Sequence, residues 1–234
     1  MPVANINQLR ELLREKFPGQ AGQGLKSKSR SPGLWPSRLE HIDNLVSGGF
    51  PKGSLTEIVC AQPGCGSASL MRWLLEHTTQ ASRFSALIDG ADSFDATHVN
   101  STTLSRLLWI RCHSTAEAFK AADLLLRDGN VPFVMFDLVL NPKAELRRIP
   151  ATTWYRFQRI LEQTSTVCLV FTPWMMIAPA RARLQLNSRF SLPALDDEPE
   201  GVARKVHATQ SNADGVHPSL NEAPKDVPAL IAGQ

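Results

Sequence analysis

The stretch that decides the fold is Ser54-Leu-Thr-Glu-Ile-Val-Cys-Ala-Gln-Pro-Gly-Cys-Gly-Ser-Ala68, followed by Ser69-Leu-Met-Arg-Trp-Leu-Leu75. It predicts a β-strand, a glycine-rich loop and a helix, in that order. A loop in this position binds phosphate in many proteins, because its amides and the helix amino terminus face the anion. The residue types in the loop then decide what it can bind.

The loop keeps the outline of a phosphate-binding motif but not its chemistry. That motif has a glycine, four further residues, a second glycine, a lysine that reaches the phosphates and a hydroxyl that binds magnesium. Here Ala61 replaces the first glycine, and the lysine and hydroxyl positions hold Ser67 and Ala68. The remnant of the nucleotide loop consists of Gly64, Cys65, Gly66, Ser67 and Ala68.

These replacements bear directly on catalysis, because phosphoryl transfer depends on positive charge held beside the transition state. Ser67 offers only a hydroxyl dipole, and Ala68 cannot ligate a metal. We therefore expect no catalytic residues, little or no ATP hydrolysis and no bound cofactor. The alternative is that ATP and magnesium do bind, with a displaced cation such as Arg72 or Lys52 in place of the lysine.

Composition restricts the class of protein. The chain has 234 residues, of which 43% are apolar, and no apolar run is long enough to cross a bilayer. The amino terminus lacks the pattern of a signal peptide, so we expect a cytoplasmic protein without membrane contact. The formal net charge of +3 allows contact with nucleic acid, but a solvated surface of mixed charge explains it equally well.

Neither the cysteines nor the histidines follow a metal-binding pattern. The four cysteines show no C-x-x-C spacing, and no two of the six histidines lie four residues apart. Cys60, Cys112 and Cys168 lie in apolar, strand-like runs, where cysteine behaves as a small hydrophobe. We expect no metal site, and we expect only Cys65, in the loop, as an exposed thiol.

The chain divides into four predicted segments. Residues 1–17 have leucines at helical spacing, which predicts an amphipathic helix. Residues 18–33 are rich in glycine, serine and lysine, which is typical of a flexible linker. Residues 34–193 form the folded domain. Residues 194–234 contain four prolines and few large apolar side chains, which predicts a disordered tail.

Apolar runs alternate with helical patterns inside the domain, and this alternation indicates a mostly parallel central sheet flanked by helices. Strands are predicted at residues 54–59, 84–89, 107–113, 131–137, 166–172 and 182–186. Ser114 and Glu117 form a capping box that begins a helix ending at Gly129, and Pro150 begins another. The last strand alternates apolar and polar residues, as an edge strand with one exposed face does.

Three charged residues are candidate site residues outside the loop. Asp137 closes an apolar strand, as does the Walker-B acid that holds magnesium in active enzymes, and we place it beside the loop. Its alternative role is structural, as a carboxylate that bonds local backbone amides. Arg147 and Arg148 precede Pro150, where loops at the carboxyl ends of strands meet ligands. They are candidate contacts for a protein or nucleic acid, or else part of a solvated surface.

The order of these motifs resembles the RecA-like P-loop group over residues 34–193. The resemblance is carried by Gly48–Val59, Ala86–Asp95, Leu107–Arg111, Ala121–Arg127, Asp137 and Leu146–Pro150. Within that group the sequence is most similar to the ImuA proteins, which accompany error-prone translesion synthesis. It is also similar to their relatives, the SulA division inhibitors.

The resemblance implies a function and a set of partners. RecA recombinases carry a water-activating glutamate shortly after the second strand, and the matching position here is Ala91. The implied function is that of a pseudo-ATPase scaffold in SOS-induced error-prone translesion synthesis and DNA repair, at the nucleoid during DNA damage. The implied partners are an ImuB-type Y-family polymerase homologue, a specialised replicative-type DNA polymerase and RecA itself. Contact with DNA would be indirect.

Two other functions stay open at this point. One is a SulA-like SOS inhibitor of cell division that binds the tubulin-like division protein, since SulA relatives also lack a working P-loop. The other is a weak ATPase of the RecA group that uses a displaced cation. The sequence distinguishes the SulA-like function poorly from the scaffold function.

Overall fold

A computed structural model of the chain describes residues 33–81, 83–190 and 199–210. The helix predicted at residues 1–17, and all but the last residue of the linker predicted at 18–33, lie outside this part of the chain. No helix in the described part is long and apolar enough to span a membrane.

The described residues form nine strands and seven helices. The strands are β1 Leu34–Trp35, β2 Phe50–Pro51, β3 Ser54–Val59, β4 Ser85–Asp89, β5 Leu107–Arg111, β6 Phe133–Asp137, β7 Val167–Thr172, β8 Ala182–Leu186 and β9 Ala208–Gln210. The helices are α1 Glu40–Leu45, α2 Ser67–Gln80, α3 Ser101–Ser105, α4 Thr115–Asp128, α5 Lys143–Leu146, α6 Ala151–Leu161 and α7 Pro199–Arg204.

Seven of the strands form one sheet, in the order β5-β4-β6-β7-β3-β8-β9. All neighbours in it run parallel except β8 and β9, which are antiparallel. β1 and β2 form a separate antiparallel ribbon. The predicted α/β class with a mostly parallel sheet is confirmed. β3, which leads into the loop, lies inside the sheet between β7 and β8.

The two faces of the sheet are covered by different helices. On one face α2 contributes Leu70, Trp73 and Leu74 to an apolar cluster. On the other face α4 and α6 contribute Phe119 and Trp154, whose ring centroids are 5.2 Å apart. Strands covered on both faces read as continuous apolar runs, which is why these strands were visible in the sequence.

Helix boundaries follow the local chemistry that predicted them. The Ser114 hydroxyl accepts a hydrogen bond from the Glu117 amide at the start of α4. Gly129 ends the helix in a left-handed conformation, with φ at 67°. Pro150 lies directly before the first residue of α6. The predicted capping signals are therefore confirmed.

The carboxyl-terminal boundary of the domain differs from the prediction. We predicted a disordered tail at residues 194–234, but residues 199–210 form α7 and β9, and the rest of that range lies outside the described residues. Val202, Ala203 and Val206 are buried, and α7 packs on α2. β9 pairs with β8, so β8 is not the edge strand that its alternation predicted. A segment with few apolar residues folds here because those few lie against an existing apolar face.

A fully buried carboxylate joins the centre of the sheet. Glu57 on β3 forms an ion pair with Arg183 on β8, with 2.6 Å between Oε2 and Nε. Its Oε1 accepts hydrogen bonds from the Thr172 hydroxyl and from the Met176 and Ile177 amides. Because every bond reaches another strand or the loop after β7, this one side chain links three strands.

Removal of Arg183 should destabilise the protein strongly, because Arg183→Met leaves the Glu57 charge buried without its cation. We expect a loss of about 3–5 kcal/mol in the free energy of unfolding, measured by urea denaturation. Arg127→Ala is the matched control, since its ion pair with Asp123 is on the surface and should be worth about 0.2–1 kcal/mol. Equal effects of the two variants would contradict a structural role for the buried pair.

Candidate functional site

The glycine-rich loop connects β3 to α2 at the carboxyl edge of the sheet. Gly64 and Gly66 have φ values of 71° and 94°, in the left-handed region that favours glycine. A Cβ atom on Gly66 would lie 3.0 Å from Val206 Cγ2 and 3.2 Å from Ser188 Oγ. The glycines therefore set a tight loop that packs against the carboxyl-terminal segment.

The outer part of the loop faces solvent without the groups that bind a nucleotide. Residues 61–64 and Ala68 are exposed, and Ser67 is half-buried. Among the loop residues that the structure describes, none is a cation. The motif positions that would contact phosphate and magnesium are thus accessible but hold a serine and an alanine.

Neither of the two candidate replacement cations lies free beside the loop. Arg72, in the second turn of α2, pairs with Glu76 at 3.0 Å. Lys52 precedes β3, at the end of the strand opposite to the loop. A strand of six residues spans roughly 20 Å, so Lys52 does not take the place of the missing lysine.

Cys65 is buried, with 2% of its surface exposed, and the expectation of an exposed thiol was wrong. It lies within hydrogen-bonding reach of Cys60 and Ser67. The bond with Cys60 lowers the pKa of Cys65 to about 6, against the opposing effect of burial. The same bond, together with burial, raises the pKa of Cys60. The protonation of each thiol therefore affects the pKa of the other. Cys60 lies where the loop leaves β3, and Cys65 lies near the start of α2.

Asp137 ends β6 and lies opposite Asp89 of β4 in the sheet register. Its Oδ1 accepts one hydrogen bond, from the Val139 amide, and no described cation pairs with it. Burial, and less strongly the charge of Asp89, raise the pKa of Asp137 to about 6. Its charge also contributes to the raised pKa of Cys60. The structure thus brings Asp137 to the same edge as the loop.

Asp89 differs from Asp137 in its hydrogen bonding, although the two are partners in the sheet register. It is completely buried, and it accepts hydrogen bonds from the Ser93 and Phe94 amides and from the Trp109 indole. These three donors explain its place in the interior without any ligand. Asp137 has one such donor.

Arg147 and Arg148 are both exposed in the connection between β6 and α6. The Arg147 guanidinium lies 5.7 Å from the ring centroid of Trp174, which follows the neighbouring strand β7. Met175 and Leu140, in the same two connections, have 41% and 68% of their surfaces exposed. We call these five residues the arginine–tryptophan surface. The sequence pointed to its arginines but not to its apolar members, although each of these follows closely on a strand end.

The described residues contain no group of three or more histidine, cysteine or acidic side chains able to hold a metal. The site therefore consists of an open loop without cations, a buried acid with one hydrogen bond and an exposed surface of arginine and apolar side chains.

At high pH, the Asp137→Asn variant should be more stable than the native protein. The raised pKa of Asp137 means that its stabilising protonated form is retained below about pH 4 and lost as pH rises through about 6. Asparagine does not ionise, so the variant should gain about 1–3 kcal/mol over the native protein at pH 8 and almost nothing at pH 4, in urea denaturation.

Asp95→Asn is the control, because hydrogen bonds from Thr97 lower the pKa of that exposed carboxylate. It should show no gain at high pH. If Asp137→Asn destabilised the protein at pH 8, the carboxylate would instead be held by a favourable partner.

Comparison with known proteins identifies the fold. No family model and no curated protein matches the sequence. Among solved structures, the crystal structure of the RadB recombinase is similar, with a TM-score of 0.50 and 15% sequence identity. The match covers 64% of this chain and 81% of that chain. Together with the sheet described above, this similarity shows that the chain has a RecA-like fold.

Proposed function

We propose that this protein is a non-hydrolysing, ImuA-type accessory of SOS-induced error-prone translesion DNA synthesis. One observation carries the proposal: in a RecA-like fold, the loop between β3 and α2 presents Ser67 and Ala68 where a cation and a hydroxyl are needed. The ImuA resemblance of residues 34–193 supplies the biological setting.

The energetics support the absence of hydrolysis. Transfer of a phosphoryl group needs positive charge beside the β- and γ-phosphates and a held magnesium ion, and the protein contributes little else to the chemistry. One preorganised donor at a reacting centre is worth about 2.7–4 kcal/mol of transition-state stabilisation. This loop lacks two such contributions, and the two alternative cations are paired or lie at the far end of β3.

The arginine–tryptophan surface is the part of the proposed scaffold that we assign to a polymerase partner. Exposed apolar side chains rimmed by arginine are typical of protein interfaces, in which tryptophan and arginine dominate the binding energy. The partner we propose for it is the ImuB-type Y-family polymerase homologue. The specialised replicative-type polymerase and RecA would join through that complex, and this surface itself would contact DNA only indirectly.

Purified protein should show no magnesium-dependent ATP turnover, because neither candidate replacement, Arg72 or Lys52, lies free beside the loop. The measurement is phosphate release with and without DNA. Asp137→Ala is the informative variant, since it removes the acid that a working site would use. Turnover in the native protein that disappears in this variant would contradict the proposal and favour a weak ATPase.

Trp174→Ala and Arg147→Ala should each weaken binding to the ImuB-type partner by about tenfold or more, measured by calorimetry with purified proteins. Arg127→Ala is the matched control, because it removes an exposed arginine of α4 outside the arginine–tryptophan surface. Unchanged affinity in both test variants would exclude this surface. Absence of any partner binding, with filamentation of cells that overproduce the protein, would instead favour the SulA-like inhibitor.

A further inference from the structure

A second cluster of basic side chains lies at the amino edge of the sheet, away from the loop. It surrounds a cavity of about 160 Å³ between the β1–β2 ribbon and the carboxyl-terminal end of α2. We call it the amino-edge pocket, and its lining includes Leu34, Trp35, Arg38, Lys52, His77 and Arg83. None of the side chains that line it is acidic.

Two of its cations flank one aromatic ring. Lys52 Nζ lies 5.8 Å from the Trp35 ring centroid, and the Arg83 guanidinium carbon lies 4.9 Å from it. Contact with the ring face stabilises each cation but neutralises neither. Among the described residues, Arg38, Lys52 and Arg83 form no ion pair. Three like charges in one small cavity repel one another, so an anion bound between them relieves that repulsion.

The nearest acids on the pocket's own elements are engaged elsewhere. The Asp43 carboxylate accepts hydrogen bonds from the Ser37 and Arg38 amides, at 2.7 and 3.2 Å. Glu76, beside His77, pairs with Arg72. Neither carboxylate lines the cavity. The lining of the cavity therefore carries positive charge with no carboxylate among it.

The backbone at Arg38 is held in an unusual conformation. Its φ is 63°, in the left-handed region that residues with a side chain rarely adopt. The two hydrogen bonds to Asp43 hold this turn in place. Strain of this kind persists where the surroundings fix it, and it is more frequent at binding sites than elsewhere. Here the strained residue is Arg38, whose side chain is the third cation at the cavity.

Cavity size and chemistry restrict the ligand. Pockets for drug-sized molecules measure about 300–1,000 Å³, so this one fits a small ion or a single group. Arginine and lysine together recognise oxygen-rich anions, with phosphate foremost.

We propose that the amino-edge pocket binds a phosphate group, either free inorganic phosphate or one phosphate of a nucleic-acid backbone. Lys52, Arg83 and Arg38, the three cations that line the cavity, contact the anion. This site is separate from the loop remnant and from the arginine–tryptophan surface, so it does not depend on the scaffold role proposed above.

The test titrates the full chain with inorganic phosphate in calorimetry at low ionic strength. We expect saturable binding that weakens about tenfold in Lys52→Met and in Arg83→Met. Lys52→Arg keeps the charge and should bind like the native protein. Arg127→Gln, which removes a cation outside the pocket, should also leave the affinity unchanged. Thermal unfolding of each variant checks that it is folded.

A second arm separates the two sources of phosphate. A single-stranded oligonucleotide is titrated in the presence and absence of inorganic phosphate. If phosphate competes with the oligonucleotide, and both pocket variants lose binding of the oligonucleotide, the ligand is the nucleic-acid backbone. If phosphate binds but does not change the binding of the oligonucleotide, the ligand is the free anion. No saturable phosphate binding, or equal weakening in Arg127→Gln, overturns the proposal.

Discussion

The architecture depends on a carboxylate that is completely removed from water in the middle of the sheet. Glu57 accepts hydrogen bonds from Thr172 at the end of β7, from Arg183 on β8 and from two amides of the loop after β7. A buried charge of this kind is tolerated only when all its partners are in place. The three strands and the Trp174 loop are consequently held in one arrangement.

Most of the parallel sheet was predictable because strands buried on both faces are apolar throughout, and helices begin and end at recognisable capping residues. The errors concern long-range contacts. β8 alternates like an edge strand because one of its faces is half-exposed, yet β9 covers its edge from sequence beyond the predicted boundary. Residues 199–210 fold through three small apolar side chains, too few for composition to reveal.

The replacement of the motif's lysine and hydroxyl by Ser67 and Ala68 was visible for a different reason: it concerns residue types at fixed spacing in one short loop. Contacts between residues from different parts of the sheet could not be predicted in this way. The contact of Arg147 with Trp174 joins two connections that only the order of β6 and β7 brings together. The burial of Cys65 reflects packing beneath a loop whose outer residues are exposed.

The scaffold role that we propose would require edge loops that keep one shape without a ligand, since ordering a loop on binding subtracts from affinity. The carboxyl edge meets this need through internal bonds. Glu57 fixes the amides that follow Trp174, and Asp89 fixes Ser93 and Phe94. The Asn141 amide, itself buried, donates to the Gly90 carbonyl and so joins the connections after β4 and β6. Side chains of the protein itself thus hold the connections at this edge in place.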